Sequence, residues 1–168
     1  MNSVTIFWLQ LLVSCVVCVL VVAWYVWPYL TKLTRHSALI PLLFVHVFRY
    51  VGMVLLVPGM VDPKLPQGVL LGSAYGDLLA AALALASIIA LRSNWPSAIP
   101  LVWVFNTLGF LDLLNVLRSV LQIDLPTYYL GSIWFIYTFY APLVIVSHVM
   151  IFVILLNPRS WKNAEIAR

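Results

Sequence analysis

The stretch VLLGSAYGDLLAAALALASIIAL, residues 69–91, decides the fold class of this chain. Asp77 is its single charged residue, and nearly all of its other side chains are apolar or small. A helix needs about 20 mostly apolar residues to cross the hydrocarbon core of a bilayer, and this stretch supplies them. The sequence therefore predicts a transmembrane helix here.

Four more apolar stretches flank this one, so the chain is predicted to be an all-α polytopic membrane bundle. The five predicted spans are residues 5–27, 39–57, 69–91, 98–121 and 134–156. Short connections rich in proline and polar residues separate them, which favours antiparallel packing of neighbouring helices. We expect one transmembrane domain over residues 1–168, with a short cytoplasmic tail from about residue 157. The first stretch lacks the basic region and cleavage site of a signal peptide, so it is expected to remain as a helix.

The composition excludes the main alternatives to a membrane protein. Of the 168 residues, 64% are hydrophobic and only 8% are charged, whereas an average soluble domain has about 25% charged residues. So few charges cannot cover the surface of a soluble domain. Aromatic residues make up 14% of the chain, which argues against disorder, and the absence of a basic stripe argues against a nucleic-acid partner.

The distribution of basic residues predicts the orientation in the membrane. Lys64 and Arg118 fall on one side of a five-span bundle, and a larger group falls on the other: Lys32, Arg35, Arg92, Arg159, Lys162 and Arg168. Cytoplasmic segments carry the excess of Lys and Arg. The pattern therefore predicts an outside N-terminus and a cytoplasmic C-terminus, and it accounts for the net charge of +4.

Three charged residues inside the predicted spans form the candidate binding site. Arg49, Asp77 and Asp112 lie on three different spans, and the helical rise of about 1.5 Å per residue places all of them roughly 12–14 Å below the outer surface. A charged side chain in hydrocarbon costs about 2.5–3.5 kcal/mol, so such residues usually face a partner or water. The planar guanidinium can bind two carboxylates at once, which predicts a shared cluster in the outer half of the bundle.

Other polar residues are expected to extend this cluster. His46 is three residues from Arg49 on one helix face, and Asn115 has the same spacing from Asp112. Tyr75 and Asn106 complete the set of candidate binding residues. Pro142 is expected to kink the fifth span at the depth of the charges. A repeat of small residues on the third span, Gly72, Gly76, Ala80 and Ala84, predicts close helix packing.

The remaining motifs predict no further chemistry. Cys15 and Cys18 form a C-x-x-C pattern in the middle of an apolar helix, where inert thiols are expected. His46 and His148 lie near the midplane and suggest a haem pair, although two structural histidines are the simpler interpretation. No lysine lies in a span, which excludes a retinal Schiff base. Signatures of metalloproteases, nucleophile elbows and nucleotide-binding loops are absent, so no metal site is predicted. A non-enzyme without a cofactor is favoured over an enzyme of lipid or isoprenoid chemistry, for which no complete catalytic set is visible.

Part of the chain resembles a family of uncharacterised bacterial integral membrane proteins. The resemblance covers residues 49–113 and consists of four short motifs: Arg49-x-x-Gly52, Leu65-Pro66, Gly76-Asp77 and Trp103-x-x-Asn106-x-x-Gly109-x-x-Asp112-Leu113. It implies a small multi-helix bundle in the bacterial inner membrane. It implies no particular activity.

Three functional hypotheses are compatible with these patterns. The first is a small transporter or ion- or proton-conducting protein, whose charged cluster lines a polar pocket that His46 or Asn106 continues inward. The second is an accessory or scaffold subunit of a larger membrane complex, in which the charges hold the helices together. The third is a membrane-embedded binder of a lipid, quinone, pigment or haem. The expected partners are the lipid bilayer and a homo-oligomer or larger complex, with no nucleic acid.

Overall fold

Five helices long and apolar enough to cross a membrane make up the computed structural model, which describes residues 1–157. We label them in chain order: α1 is Ser3–Leu30, α2 is Arg35–Leu56, α3 is Gln67–Arg92, α4 is Ala98–Gln122 and α5 is Gly131–Leu156. No strand occurs among the described residues. The predictions of an all-α fold and of five helices long and apolar enough to cross a membrane are confirmed. The tail predicted from about residue 157, with Arg159, Lys162 and Arg168, lies outside the described residues apart from Asn157.

Two proline residues lie within helices next to a wider π-helical turn. The turn Val22–Val26 precedes Trp27–Leu30, which contains Pro28, and the turn Ile136–Tyr140 precedes Ala141–Leu156, which contains Pro142. Proline lacks an N–H and its ring collides with the carbonyl four residues back, and a wider turn relieves this collision. The first span, predicted to end at residue 27, in fact continues through Pro28 to Leu30. The kink expected at Pro142 takes the form of this local change in helix type.

Arg35 also differs from its predicted place in the first loop. It is the first residue of α2, and the hydroxyl of Thr34 caps the helix by accepting a hydrogen bond from the Ser37 amide at 3.3 Å. The Arg35 guanidinium donates to the carbonyl of Leu155 at 2.8 Å. It thereby satisfies one of the carbonyls that a helix leaves without a partner at its C-terminal end.

The second half of α2, Phe48–Leu56, is a 3-10 helix. In a 3-10 helix about three residues make one turn, so residues i and i+3 lie on the same face. The buried residues of this segment follow that spacing: Arg49, Gly52 and Leu55. Hydropathy alone did not predict this change from α-helix to 3-10 helix. The 3-10 geometry places Arg49 and Gly52 on the same face, which packs against α3.

The core consists of α2 to α5, and α1 lies at its edge. Helix α3 packs against α2 on one side and α4 on the other, while α1 contacts mainly α5. Two apolar clusters fill the bundle, one around Leu43, Ala84 and Ile151 and the other around Leu55 and Ile133. On each of α2, α3 and α4 the charged residue falls between the two clusters. The polar site is therefore a layer between two apolar ones.

Candidate functional site

One arginine side chain connects three helices at the centre of the bundle. The Nε–H of Arg49 donates to Oδ1 of Asp77 at 2.7 Å, and its Nη2–H donates to Oδ2 of Asp112 at 2.5 Å. Its Nη1–H donates to the carbonyl of Gly109 at 3.1 Å. The side chain is 2% exposed. The pairing expected from the common depth of these residues is therefore present, and we call the three residues the charged cluster.

Glycine provides the space that each charged side chain occupies. A Cβ atom on Gly52 would overlap the carboxylate of Asp77, and a Cβ atom on Gly76 would overlap the carboxylate of Asp112. A Cβ atom on Gly109 would lie 3.3 Å from Nη1 of Arg49. Each charged group thus closely approaches the backbone of the next helix at a glycine, and at Gly52 and Gly76 a Cβ atom would overlap the charged group.

These contacts form a closed cycle around the bundle. Helices α2, α3 and α4 each supply one charged residue and one glycine, which are Arg49 with Gly52, Gly76 with Asp77, and Gly109 with Asp112. Gly52 of α2 accommodates Asp77 of α3, and Gly76 of α3 accommodates Asp112 of α4. Gly109 of α4 accommodates Arg49 of α2, which closes the cycle. The spacings Arg-x-x-Gly, Gly-Asp and Gly-x-x-Asp in the sequence follow from this geometry.

The cluster is not fully enclosed. The side chains of Asp77 and Asp112 are 20% and 21% exposed, and Arg49 and Asp77 line a cavity of about 50 Å³ that we call the charged cavity. Ser73, Tyr137 and Tyr140 contribute to its walls. A water molecule needs about 10–15 Å³ of such volume, so the charged cavity can hold a few waters or a small cation.

A second polar group, the histidine pair, adjoins the charged cluster. His46 and His148 are fully buried, and the centroids of their rings are 4.1 Å apart. The Nδ1–H of His148 donates to Oδ1 of Asn106 at 2.8 Å, while the Asn106 amide donates to the carbonyl of His148 at 3.2 Å. The hydroxyl of Ser147 lies 2.8 Å from Nε2 of His46. Gly109 links the two groups, because a Cβ atom there would lie 3.0 Å from Cε1 of His148 as well as close to Arg49.

The histidine pair does not have the geometry of a haem site. Axial ligands bind haem iron from opposite faces of the macrocycle, whereas these two rings contact each other directly. The ring atoms Nδ1 of His46 and Nε2 of His148 have no hydrogen-bond partner among the described residues. Within residues 1–157 no group of three or more His, Cys, Asp or Glu side chains is placed to hold a metal ion.

Two residues expected near the charged cluster lie elsewhere. Tyr75 is 57% exposed on the outer surface of α3, because it precedes Asp77 by two residues and therefore points about 200° away around the helix. Asn115 is exposed on α4. Cys15 and Cys18 are free thiols, partly exposed on the peripheral helix α1.

Sequence reasoning missed two kinds of site residue. Tyr137 and Tyr140 line the charged cavity, and the Tyr140 hydroxyl donates to the carbonyl of Val45 at 2.5 Å. The space-making role of Gly52 and Gly109 was also missed. The sequence does contain a signal for this role, because each of these two glycines lies three residues from a charged residue on the same helix.

Replacing Asn106 with alanine is expected to lower the free energy of unfolding by about 1–3 kcal/mol, because it leaves the buried Nδ1–H of His148 without a partner and removes the side-chain donor to the His148 carbonyl. Unfolding in detergent micelles containing increasing amounts of a denaturing detergent measures this effect. Asn115→Ala is the matched control on the exposed face of α4, and its expected change is within about 0.5 kcal/mol. Equal effects of the two substitutions would show that the Asn106–His148 hydrogen bonds contribute nothing to stability.

Comparison with known proteins identifies a family. Residues 6–156 match the model of a family described as a domain of unknown function (DUF8737). The match covers all five helices. No curated protein and no solved structure matches the chain.

Proposed function

The chain belongs to the DUF8737 family, and we propose that it is a small membrane transporter whose charged cluster binds and releases a proton or a monovalent cation. In this role Arg49 is fixed and holds both carboxylates in place. Asp77 carries the exchangeable positive charge, because it lines the charged cavity.

The observation that carries this proposal is the unequal number of charges. Arg49 supplies one positive charge to two carboxylates, and the ion pairs of Asp77 and Asp112 within the described part of the chain both go to Arg49. With both carboxylates ionised, the cluster has a formal charge of −1. An uncompensated charge inside a membrane is costly, so a proton or a cation at this position is favourable.

The geometry also leaves room for the added charge. The hydrogen bonds from Arg49 occupy one oxygen of each carboxylate, Oδ1 of Asp77 and Oδ2 of Asp112. The second oxygen of Asp77, Oδ2, packs against Gly52 and accepts no hydrogen bond from the described residues, so it can take a proton or contribute to a cation site. Side chains of Ser73 and Tyr137 in the same wall can supply further oxygen ligands, and oxygen is the donor that hard cations prefer.

The orientation forms part of the same proposal. Lys32 and Arg92 lie at one end of the bundle, and Lys64 lies at the other, between α2 and α3. The excess of basic residues supports a cytoplasmic location for the first end, which puts the charged cluster in the outer half of the membrane. The resemblance to bacterial membrane proteins supports the bacterial inner membrane as the location.

A second function is supported by a different observation. The Nε, Nη1 and Nη2 atoms of Arg49 each donate a hydrogen bond within the protein. Three glycines also pack closely against the charged side chains. Such an arrangement also suits an accessory subunit in which the cluster fastens α2, α3 and α4 together. In that case a positive charge from a neighbouring protein of the complex would balance the second carboxylate.

Substitution of Asp77 with asparagine separates the two functions. In sealed proteoliposomes the wild-type protein is expected to dissipate an imposed proton, Na⁺ or K⁺ gradient, and Asp77→Asn is expected to reduce this flux at least tenfold. The asparagine oxygen can still accept from Arg49, and the substitution balances the cluster at zero charge, so folding should be retained. Flux is measured with a pH-sensitive dye and with ion-selective indicators in the vesicle interior.

Asp124→Asn is the control, because Asp124 is an exposed carboxylate in the connection between α4 and α5. It should leave the flux unchanged. Absence of flux of all three ions through the wild-type protein, together with higher stability of Asp77→Asn, would contradict transport and support the structural function.

A further inference from the structure

A second, apolar cavity lies beside the charged cluster. It has a volume of about 140 Å³ and is bounded by α1, α4 and α5, and we call it the apolar groove. Phe7 and Leu11 of α1 form one side, Leu114 and Leu117 of α4 form another, and Ile145 of α5 forms the third. The groove exists because α1 packs mainly on α5 and leaves a gap beside α4.

The apolar groove adjoins the charged cavity. Four residues line both of them: Leu113, Val116, Tyr137 and Ala141. Arg49 and Asp77 line only the charged cavity, and α1 lines only the groove. The two adjoining cavities therefore present an ion pair, Arg49 and Asp77, at one end and apolar side chains at the other, which is the arrangement of a site for an amphiphile.

The charge of the cluster selects among amphiphiles. Two carboxylates and one guanidinium attract a cationic head group and repel the phosphate or carboxylate of an anionic lipid. A volume of about 50 Å³ at the charged end has room for a primary ammonium group. The groove lining is formed by carbon-rich side chains, which suits an unbranched hydrocarbon chain.

We propose that the two adjoining cavities bind a linear long-chain primary amine, with its ammonium group at Asp77 and its hydrocarbon chain in the apolar groove. The inference rests on the proposed function, since it names the cationic substrate class of the same cluster. An ammonium group donates three hydrogen bonds, and the oxygens of Asp77 and Ser73 and the hydroxyl of Tyr137 are acceptors in the wall of the charged cavity. Binding of the amine and binding of a proton at Asp77 then exclude each other.

The test compares two probes with the same chain in phosphatidylcholine nanodiscs. Binding of radiolabelled dodecylamine and of dodecanol is measured at neutral pH, with binding to empty nanodiscs subtracted. The wild-type protein is expected to bind the amine at least tenfold more tightly than the alcohol. In Asp77→Asn this preference should fall to about one, while the alcohol still binds. Equal binding of the two probes by the wild-type protein would show that the groove accepts any acyl chain, and would overturn the inference.

A second variant tests the groove without altering the charges. Ala141 lines both cavities, so Ala141→Leu is expected to weaken amine binding at least tenfold. Ala82→Leu is the matched control, because Ala82 is exposed on α3 and lines neither space. Unaltered amine binding in Ala141→Leu would overturn the inference.

The two proposals can fail separately. Flux without amine preference in the wild-type protein would overturn the amine site and leave the proposed function intact. Amine preference that Asp77→Asn abolishes, without any flux of protons, Na⁺ or K⁺, would support the amine site and overturn transport of those ions.

Discussion

Replacement of Arg49 by methionine is expected to lower the free energy of unfolding by about 3–5 kcal/mol, the largest effect of any single substitution proposed for this protein. The guanidinium is 2% exposed and binds Asp77 and Asp112 directly. Its removal leaves two carboxylates close together in a medium of low dielectric constant, and Gly109 loses the donor to its carbonyl. Unfolding in mixed detergent micelles measures the change.

Two further variants identify the cause of this loss. Arg118→Met removes an exposed arginine from α4 and should change the free energy of unfolding by no more than about 0.5 kcal/mol. The triple variant Arg49→Met, Asp77→Asn, Asp112→Asn removes every charge of the cluster and should recover most of the lost stability, because a buried charge is destabilising mainly when it is unpaired. A loss below about 1 kcal/mol for Arg49→Met alone would mean that the ion pairs do not hold the three helices together.

The second large effect concerns a glycine. Gly76→Ala is expected to destabilise the protein by about 2–4 kcal/mol, because the added Cβ would overlap the carboxylate of Asp112 and overpacking of a well-packed core costs about 1–3 kcal/mol. Asp112 is held by Arg49, so displacing its carboxylate also weakens an ion pair. The midpoint of thermal unfolding in detergent micelles, together with the free energy of unfolding, measures this effect.

Gly72 provides a control on the same helix, one turn earlier. A Cβ atom at Gly72 would have no neighbour within 4 Å, so Gly72→Ala should stabilise the protein by about 0.5–1 kcal/mol through its effect on helix propensity. Opposite signs for the two substitutions are the expected result. The same sign for both would contradict the role of Gly76 as space for the Asp112 carboxylate.

These two glycines also show what the repeat of small residues could and could not predict. Gly72, Gly76, Ala80 and Ala84 have the spacing of a packing face, and Ala80 and Ala84 are buried in the structure. Gly72 is exposed. The repeat indicated the correct region of α3, but it could not distinguish the glycine that accommodates a charge from the glycine that lies in open space.

The number, helical type and approximate bounds of the five long apolar helices could be predicted from the sequence. Hydropathy and length are properties of a local stretch, so they can be read without knowledge of the neighbours. The sequence also placed Arg49, Asp77 and Asp112 at one level, because the rise of a helix converts residue number into depth. The predicted orientation rests on the same local property, the distribution of Lys and Arg, and it remains a prediction.

The rotation of each helix about its axis and its packing against its neighbours could not be predicted from the sequence and are seen in the three-dimensional structure. That rotation brings Gly52, Gly76 and Gly109 under the charged side chains, places His148 against His46, and turns Tyr75 and Asn115 outward. It also leaves the charged cavity and the apolar groove in contact. A membrane makes one apolar face nearly equivalent to another for a single helix, so the rotation follows from side-chain packing and polar pairing between helices, which are not local properties of the sequence.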